Sequence, residues 1–429
     1  VSRGVFCTAA GAPCSALLIK PLFGGGFALI TSAMTALPID DALPNLIAAL
    51  ERSHSAVLQA PPGAGKTTRV PLALLNAGLC EGRILMLEPR RLAARAAAER
   101  MAQTLGEKVG ETVGYRMRGE AKVSKATRIE VVTEGILTRM IQGDPSLEGV
   151  GAVIFDEFHE RSLNADLGLA LVWEVRGALR EDLIVLVMSA TLDAEPVAAM
   201  LSAPVVTSEG RSFPVEMRWL ERPISKGVRF ESAVAALIEQ AVAETEGGVL
   251  VFLPGEGEIR RVEGALKVAE CDVRPLFGAM DFKAQRAAIG PSDRRKIVLA
   301  TSIAETSLTI PDIRIVVDAG RARRARFDPN SGMSRLVTER VTKAEAVQRA
   351  GRAGRVAEGV CYKLWTKGED GGLLAFPPAE IDAADLTGLV LELALWGAAP
   401  SDLAFLTVPP ARAFEEAQAL LRMLGALDA

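Results

Sequence analysis

Apolar residues along this chain recur in blocks of five or six, and each block closes on a polar or glycine-bearing tip. Ser55 to Gln59 runs into Ala60-Pro61-Pro62-Gly63-Ala64-Gly65-Lys66-Thr67-Thr68, and Arg83 to Leu87 into Glu88-Pro89-Arg90-Arg91. Arg128 to Val132 is followed by Thr133, Val150 to Phe155 by Asp156-Glu157-Phe158-His159, and Asp182 to Met188 by Ser189-Ala190-Thr191. Helical spacing separates several of them, at Ile39 to Leu50, Arg69 to Leu75 and Leu92 to Leu105. Short buried strands alternating with helices predict an α/β fold with a parallel, doubly wound sheet. Ligands bind such sheets at the C-terminal ends of the strands, where these polar tips fall.

The pattern then restarts. Gly248 to Leu253, Lys296 to Ala300, Ile313 to Val317 and Gly359 to Trp365 read as strands of a second α/β domain. Pro204 to Ile224 reads as an irregular linker between the two sets. Arg323 to Phe327 and Ser334 to Arg340 flank the turn residues Asp328-Pro329-Asn330-Ser331-Gly332, which predicts a β-hairpin. Two helices follow, Asp382 to Trp396, closed by Gly397, and Phe414 to Leu424. The division expected is an extension over 1–36, α/β domains over 37–205 and 206–375, and a small helical segment over 376–429.

Composition changes this picture little. The net charge of −4 offers no global field for nucleic acid, so such binding must rest on local clusters. Five scattered cysteines without a C-x-x-C pair, and only two histidines, argue against zinc and fit a reducing cytoplasm. Residues 17–30 are apolar but broken by Lys20, Pro21 and three glycines, which is too interrupted for a spanning helix. That stretch loosely resembles a signal peptide. The plainer reading takes Met34 as the natural start and residues 1–33 as an upstream extension.

Three constellations carry chemistry. Strand, glycine-rich turn, Lys66-Thr67 and helix is the order a phosphate cradle needs. Glycines let backbone N–H groups turn inward on an anion, and the helix adds the positive end of its dipole. Gly63, Ala64, Gly65, Lys66, Thr67 and Thr68 would hold a triphosphate, with Thr67 on Mg²⁺. Asp156 at a strand tip is a second anchor for that ion, and Glu157 beside it can polarise an attacking water. Gln348 to Arg355 places Arg349, Arg352 and Arg355 on one face if the run is helical, as arginine fingers for a leaving phosphate. The bland alternatives are a chance turn, a solvated acidic turn and a solvated basic helix face.

With Thr301-Ser302-Ile303-Ala304-Glu305-Thr306-Ser307-Leu308-Thr309 between them, these motifs in this order resemble the DEAH-box helicases of superfamily 2. Gly114-Tyr115-Arg116-Met117-Arg118-Gly119-Glu120 and Val132-Thr133-Glu134-Gly135-Ile136-Leu137 look, more narrowly, like its bacterial HrpB-type branch. The resemblance runs from about Leu37 to the C-terminus. It implies two tandem RecA-like domains and a winged-helix-like start over 376–429, with further C-terminal domains in full-length relatives. Its implied roles are Glu157 as general base, Gln348, Arg352 and Arg355 on the γ-phosphate, and ATP with Mg²⁺ in the cleft. His159, Ser189 and Thr191 resemble the elements coupling hydrolysis to domain movement. Arg90, Thr133 and Thr301 resemble positions that grip a sugar-phosphate backbone without reading its sequence. The implied partner is single-stranded or partly duplex nucleic acid, RNA rather than DNA, with no membrane, and unwinding would use the hairpin around Pro329. A nucleotide-gated RNA-binding switch and a DNA translocase are the alternatives. Two departures stand out: Ala60 replaces the usual first glycine, and Ile289 stands where relatives often carry an aromatic that stacks on the base against an arginine resembling Arg90 or Arg91.

Overall fold

The structure, a computed structural model, describes residues 36–190, 194–210, 213–305, 310–328 and 331–428. The proposed extension, Thr191, the hairpin tip Pro329-Asn330 and residues 306–309 lie outside the described residues. From Leu37 onward the chain is one compact unit.

The first sheet takes β1 (Ser55–Gln59), β2 (Arg83–Leu87), β3 (Val113–Met117), β4 (Glu120–Lys122), β5 (Ile129–Val132), β6 (Val150–Phe155), β7 (Ile184–Ser189) and β8 (Val205–Thr207). Their order is β4-β3-β5-β2-β6-β7-β1-β8, parallel except for the edge pair β3–β4. Every residue of β6 and β7 is buried, as expected for strands covered on both faces. The second sheet takes β9 (Val215–Leu220), β10 (Gly248–Phe252), β11 (Cys271–Leu276), β12 (Arg295–Ala300) and β13 (Ile313–Asp318). The chain then leaves it for the antiparallel ribbon β14 (Arg321–Asp328) and β15 (Met333–Arg340), and returns in β16 (Gly359–Thr366). The sheet order is β11-β12-β10-β13-β16-β9, all parallel. These are the two α/β domains the pattern predicts, and the two tandem RecA-like parallel-sheet domains the resemblance implies.

Three local expectations change. The stretch read as a linker contains β8 and β9, an edge strand for each sheet, so the passage between domains is short. Its mixed polarity is that of half-exposed edges. The strands at β3 and β11 do not stand out as apolar blocks, because Gly114, Arg116, Asp272 and Arg274 interrupt them. The helix over Lys343–Gly351, opened by a capping box between Thr342 and Glu345, stops before Arg352. Arg349, Arg352 and Arg355 therefore do not share a helical face.

The C-terminal segment follows the second domain in sequence but packs on the first. Leu389, Val390 and Leu393 of the helix Thr387–Trp396, with Leu421 of Ala411–Met423, join the core of Leu137, Phe155, Leu171 and Val185. Trp396 Nε1 donates to Glu174 Oε2 at 2.7 Å. Among its described residues the segment is helical and adds no strand.

Candidate active site

Strand order brings the first domain's motifs together. In β6-β7-β1, the glycine-rich turn after β1 and the acidic turn after β6 flank the tip of β7. Gly63 (φ +89°) and Gly65 (φ +96°) occupy the left-handed region, which side chains disfavour. A Cβ on Gly65 would lie 2.5 Å from Leu37 Cδ1, and one on Gly63 would meet Arg355 Nε at 3.4 Å. Ala60, in place of glycine, stands outside the left-handed region that would favour glycine; it is fully buried, and its N–H donates to the Ser189 carbonyl at 3.0 Å.

Lys66 opens the helix Lys66–Ala77 and points its ammonium at both carboxylates, 2.7 Å from Glu157 Oε2 and 3.5 Å from Asp156 Oδ1. Thr67 Oγ1 donates to Asp156 Oδ2 at 2.5 Å. All three charged groups are buried. Burial alone would discharge Lys66, but the two carboxylates reverse this and raise its pKa. Burial pushes Asp156 up to about 6. Burial also acts against ionised Glu157, but Lys66 outweighs it and holds the carboxylate below its ordinary range. Glu157 sits at φ +51°, an uncommon conformation for a residue with a Cβ, which turns its carboxylate back over the cradle.

His159 is also buried, and burial lowers its pKa. Its Nδ1 accepts the Ala190 N–H at 3.3 Å, so the neutral ring carries its proton on Nε2. The 3.5 Å approach of Nδ1 to Glu157 is then a contact between an acceptor and a carboxylate, without a shared hydrogen. Ser189 and Ala190 thus touch the glycine-rich turn through a backbone bond and the acidic turn through a bond from the Ala190 N–H to the His159 ring.

The second domain adds the arginines, and here they divide. Arg349 is structural: it pairs with Asp318 at 2.8 Å and Glu305 at 2.5 Å, and its guanidinium lies 5.0 Å from the Phe252 ring. Arg352 and Arg355 reach the cleft. Arg352 is buried, with Nε donating to the Glu305 carbonyl at 2.9 Å. Burial, reinforced by Arg355, lowers its pKa well below the ordinary value. Burial likewise brings Arg355 down to about 10. Gln348 lies on a cavity of about 320 Å³ shared with His159, Ser189, Arg90, Glu305 and the base of the ribbon.

Arg90 and Thr301, from different domains, line a second cavity of about 580 Å³ with Arg91, Arg95, Phe282 and Gln285. Arg90 also donates to the Ser302 carbonyl and pairs with Glu160 at 3.0 Å. Thr133 immediately precedes the helix Glu134–Gly143 without a side-chain capping bond and does not line that cavity. Ile289 does not reach Arg90 or Arg91. It ends the helix Phe282–Ile289, packs against the second sheet's core, and its carbonyl accepts from Lys296. Phe282 lines the same cavity as those arginines with its ring on Arg95, and sequence reasoning missed it because an isolated Phe beside Asp281 and Lys283 carries no periodic signal.

The donor set fits magnesium: a hydroxyl and a carboxylate on adjacent elements are hard oxygen ligands for an ion that also takes phosphate oxygens. Among the described residues no cluster of His, Cys, Asp and Glu forms a separate metal site, and no helix is long and apolar enough to cross a membrane.

Comparison with known proteins agrees with this architecture. Residues 41–200 match the DEAD/DEAH box helicase family, and residues 232–357 match the helicase conserved C-terminal domain. The chain is 51% identical over 402 residues to the ATP-dependent RNA helicase HrpB of Escherichia coli, covering 92% of this chain and 49% of that protein. It is 34% identical over 404 residues to the E. coli ATP-dependent RNA helicase HrpA, covering 91% of this chain and 31% of the relative. The crystal structure of the E. coli DEAH/RHA helicase HrpB superposes with a TM-score of 0.87 over 92% of this chain and 51% of its own. The chain thus spans about half the length of the HrpB relative and less of the HrpA one. With the glycine-rich turn, acidic pair and arginines brought to one cleft of two RecA-like domains, the chain belongs to the DEAD/DEAH-box helicase family and is similar there to HrpB-type proteins.

Proposed function

We propose that this chain is the motor portion of an ATP-dependent nucleic-acid helicase, acting on RNA rather than DNA. The observation that carries this is the meeting of Lys66, Thr67, Asp156 and Glu157 from one domain with Arg352 and Arg355 from the other. A triphosphate in the cradle would compete with Glu157 for Lys66. The carboxylate so released could accept a proton from an attacking water. Thr67 and Asp156 would hold Mg²⁺, which would neutralise charge on the phosphate oxygens. Arg352 and Arg355 sit in a buried environment that disfavours their own charge, so an anion between them relieves both.

The path from hydrolysis to movement would run through Ser189-Ala190 and His159, which bridge the two turns. Arg90 and Thr301 would hold the strand's phosphates, and Thr133, at the start of the helix Glu134–Gly143, would add a contact outside that cavity. The exposed Met333 and Leu336 on the ribbon are apolar surfaces fit to meet the first base pair of a duplex. The likeness to HrpB and HrpA, both described as RNA helicases, supports RNA.

Steady-state ATP hydrolysis with Mg²⁺, measured with and without single-stranded RNA or DNA beside Glu157→Gln, tests the reading. Stimulation by RNA, lost in the variant, is the expected result. Stimulation by DNA alone would replace it with the DNA-translocase reading. Hydrolysis by Glu157→Gln at the wild-type rate would remove the assigned base.

A further inference from the structure

The 580 Å³ cavity that holds Arg90 and Thr301 has a wall made by both domains. On it the Arg95 guanidinium lies 3.9 Å from the centroid of the Phe282 ring. Arg286, one turn along the same helix as Phe282, lies 5.5 Å from that ring and pairs with Glu99 at 2.6 Å. Arg95 and Glu99 belong to the helix Arg91–Leu105 of the first domain, and Phe282 and Arg286 to the helix Phe282–Ile289 of the second. Within the first domain Arg95 is held by Glu99 and Glu120, each at 3.3 Å, and Glu120 accepts from Tyr115 Oη at 2.5 Å. The result is one linked set: Tyr115-Glu120-Arg95 on one side, Phe282-Arg286 on the other, and Glu99 between. Neither the phosphate cradle nor the arginine pair uses any of it.

We propose that Arg95, Glu99, Phe282 and Arg286 form an interdomain clasp that closes one wall of the strand-binding cavity and limits how fast a bound strand leaves. The proposal rests on the nucleic-acid reading of that cavity. A cation over an aromatic face and a half-exposed ion pair are each modest contacts, of the size a motor must break on every opening. Both partners of each contact sit on helices, so the clasp is made or lost when the domains move as bodies. Phe282 also presents a ring to the cavity once Arg95 withdraws, giving a base a surface to stack on in the open form.

Charge reversal separates this clasp from ordinary electrostatics. Dissociation of a fluorescein-labelled U-rich RNA oligonucleotide is measured for Glu99→Arg, Arg286→Glu and the double swap, at one salt concentration. A clasp predicts that both single variants release the strand about three- to tenfold faster and that the double swap releases it more slowly than either, with recovery incomplete because Glu99 also holds Arg95. Simple attraction to the strand predicts opposite changes in the two single variants, slower for Glu99→Arg and faster for Arg286→Glu, and that outcome overturns the proposal. Förster transfer between dyes placed one on each domain, read without nucleic acid, isolates the clasp from the strand. Lower transfer in each single variant and recovery in the swap support it even if the oligonucleotide fails to bind wild type, a failure that would instead remove the nucleic-acid reading. Unchanged transfer in both single variants overturns the clasp.

Discussion

Arg349 and Arg352 stand three residues apart, yet the structure puts them to opposite uses. Arg349 lies between Asp318 and Glu305, and although burial opposes its charge, the carboxylates raise its pKa. Arg352 is as deeply buried, but its near neighbours include Arg355, and its pKa falls. The same contrast separates the two domains. The first neutralises its buried charges internally, with Lys66 between Asp156 and Glu157. The second carries Arg352 and Arg355 to the cleft, within electrostatic reach of Glu157 of the first. Arg349 is balanced by carboxylates of its own domain, whereas Arg352 feels Glu157 of the other domain as well as Glu305, so its electrostatics depend on how the two domains meet.

The largest effect expected follows from this contrast. Arg352→Ala should lower kcat for ATP hydrolysis by about 10³ or more, with little loss of thermal stability. Equal losses in both would erase the distinction from Arg349. Glu157→Gln should lower kcat by about 10²–10⁴ while keeping nucleotide binding, read by fluorescent-nucleotide titration. Arg349→Leu should do the reverse of Arg352→Ala. It strands Asp318 and Glu305 and should destabilise the second domain by about 3–5 kcal/mol in denaturant unfolding. Adding Asp318→Asn should recover part of that loss.

The smallest effect concerns Glu134, whose neutral form burial favours, raising its pKa to about 7, while Ser162 Oγ donates to it at 2.6 Å. Because the folded pKa is raised, the native state keeps the proton that the unfolded chain gives up near 4.5. Stability from this group is therefore full below about pH 4.5 and is lost as pH rises through about 7. Glu134→Gln keeps an acceptor for Ser162 without the charge. It should match wild type near pH 5 and exceed it by a few degrees in Tm above pH 7.5, about 1–2 kcal/mol. A constant difference across that range would mean that Glu134 is ionised throughout.

Much of this was legible in advance because the signals are local. A phosphate turn needs glycines at positive φ followed by Lys-Thr, and a buried strand needs a short apolar block, so Gly63, Gly65, Lys66, Asp156 and most core strands could be read directly. Edge strands could not. The half-exposed β8 and β9 have the composition of a linker, and only their pairing with β1 and β16 makes them strands. Phe282 on the cavity wall could not be read for a related reason: which of two apolar residues on one short helix faces a cleft depends on how that helix seats on its sheet.

The amino-acid sequence by itself determined the fold class, the phosphate cradle, the acidic pair and the order of the motifs, since each is a matter of chemistry among close neighbours. Tertiary structure alone decided which arginine serves the cleft and which the core, that the C-terminal helices pack on the first domain, and that Arg95 and Phe282 meet across the domains. Those outcomes depend on partners far away in the chain, and no local pattern encodes which partner a buried charge or ring will meet.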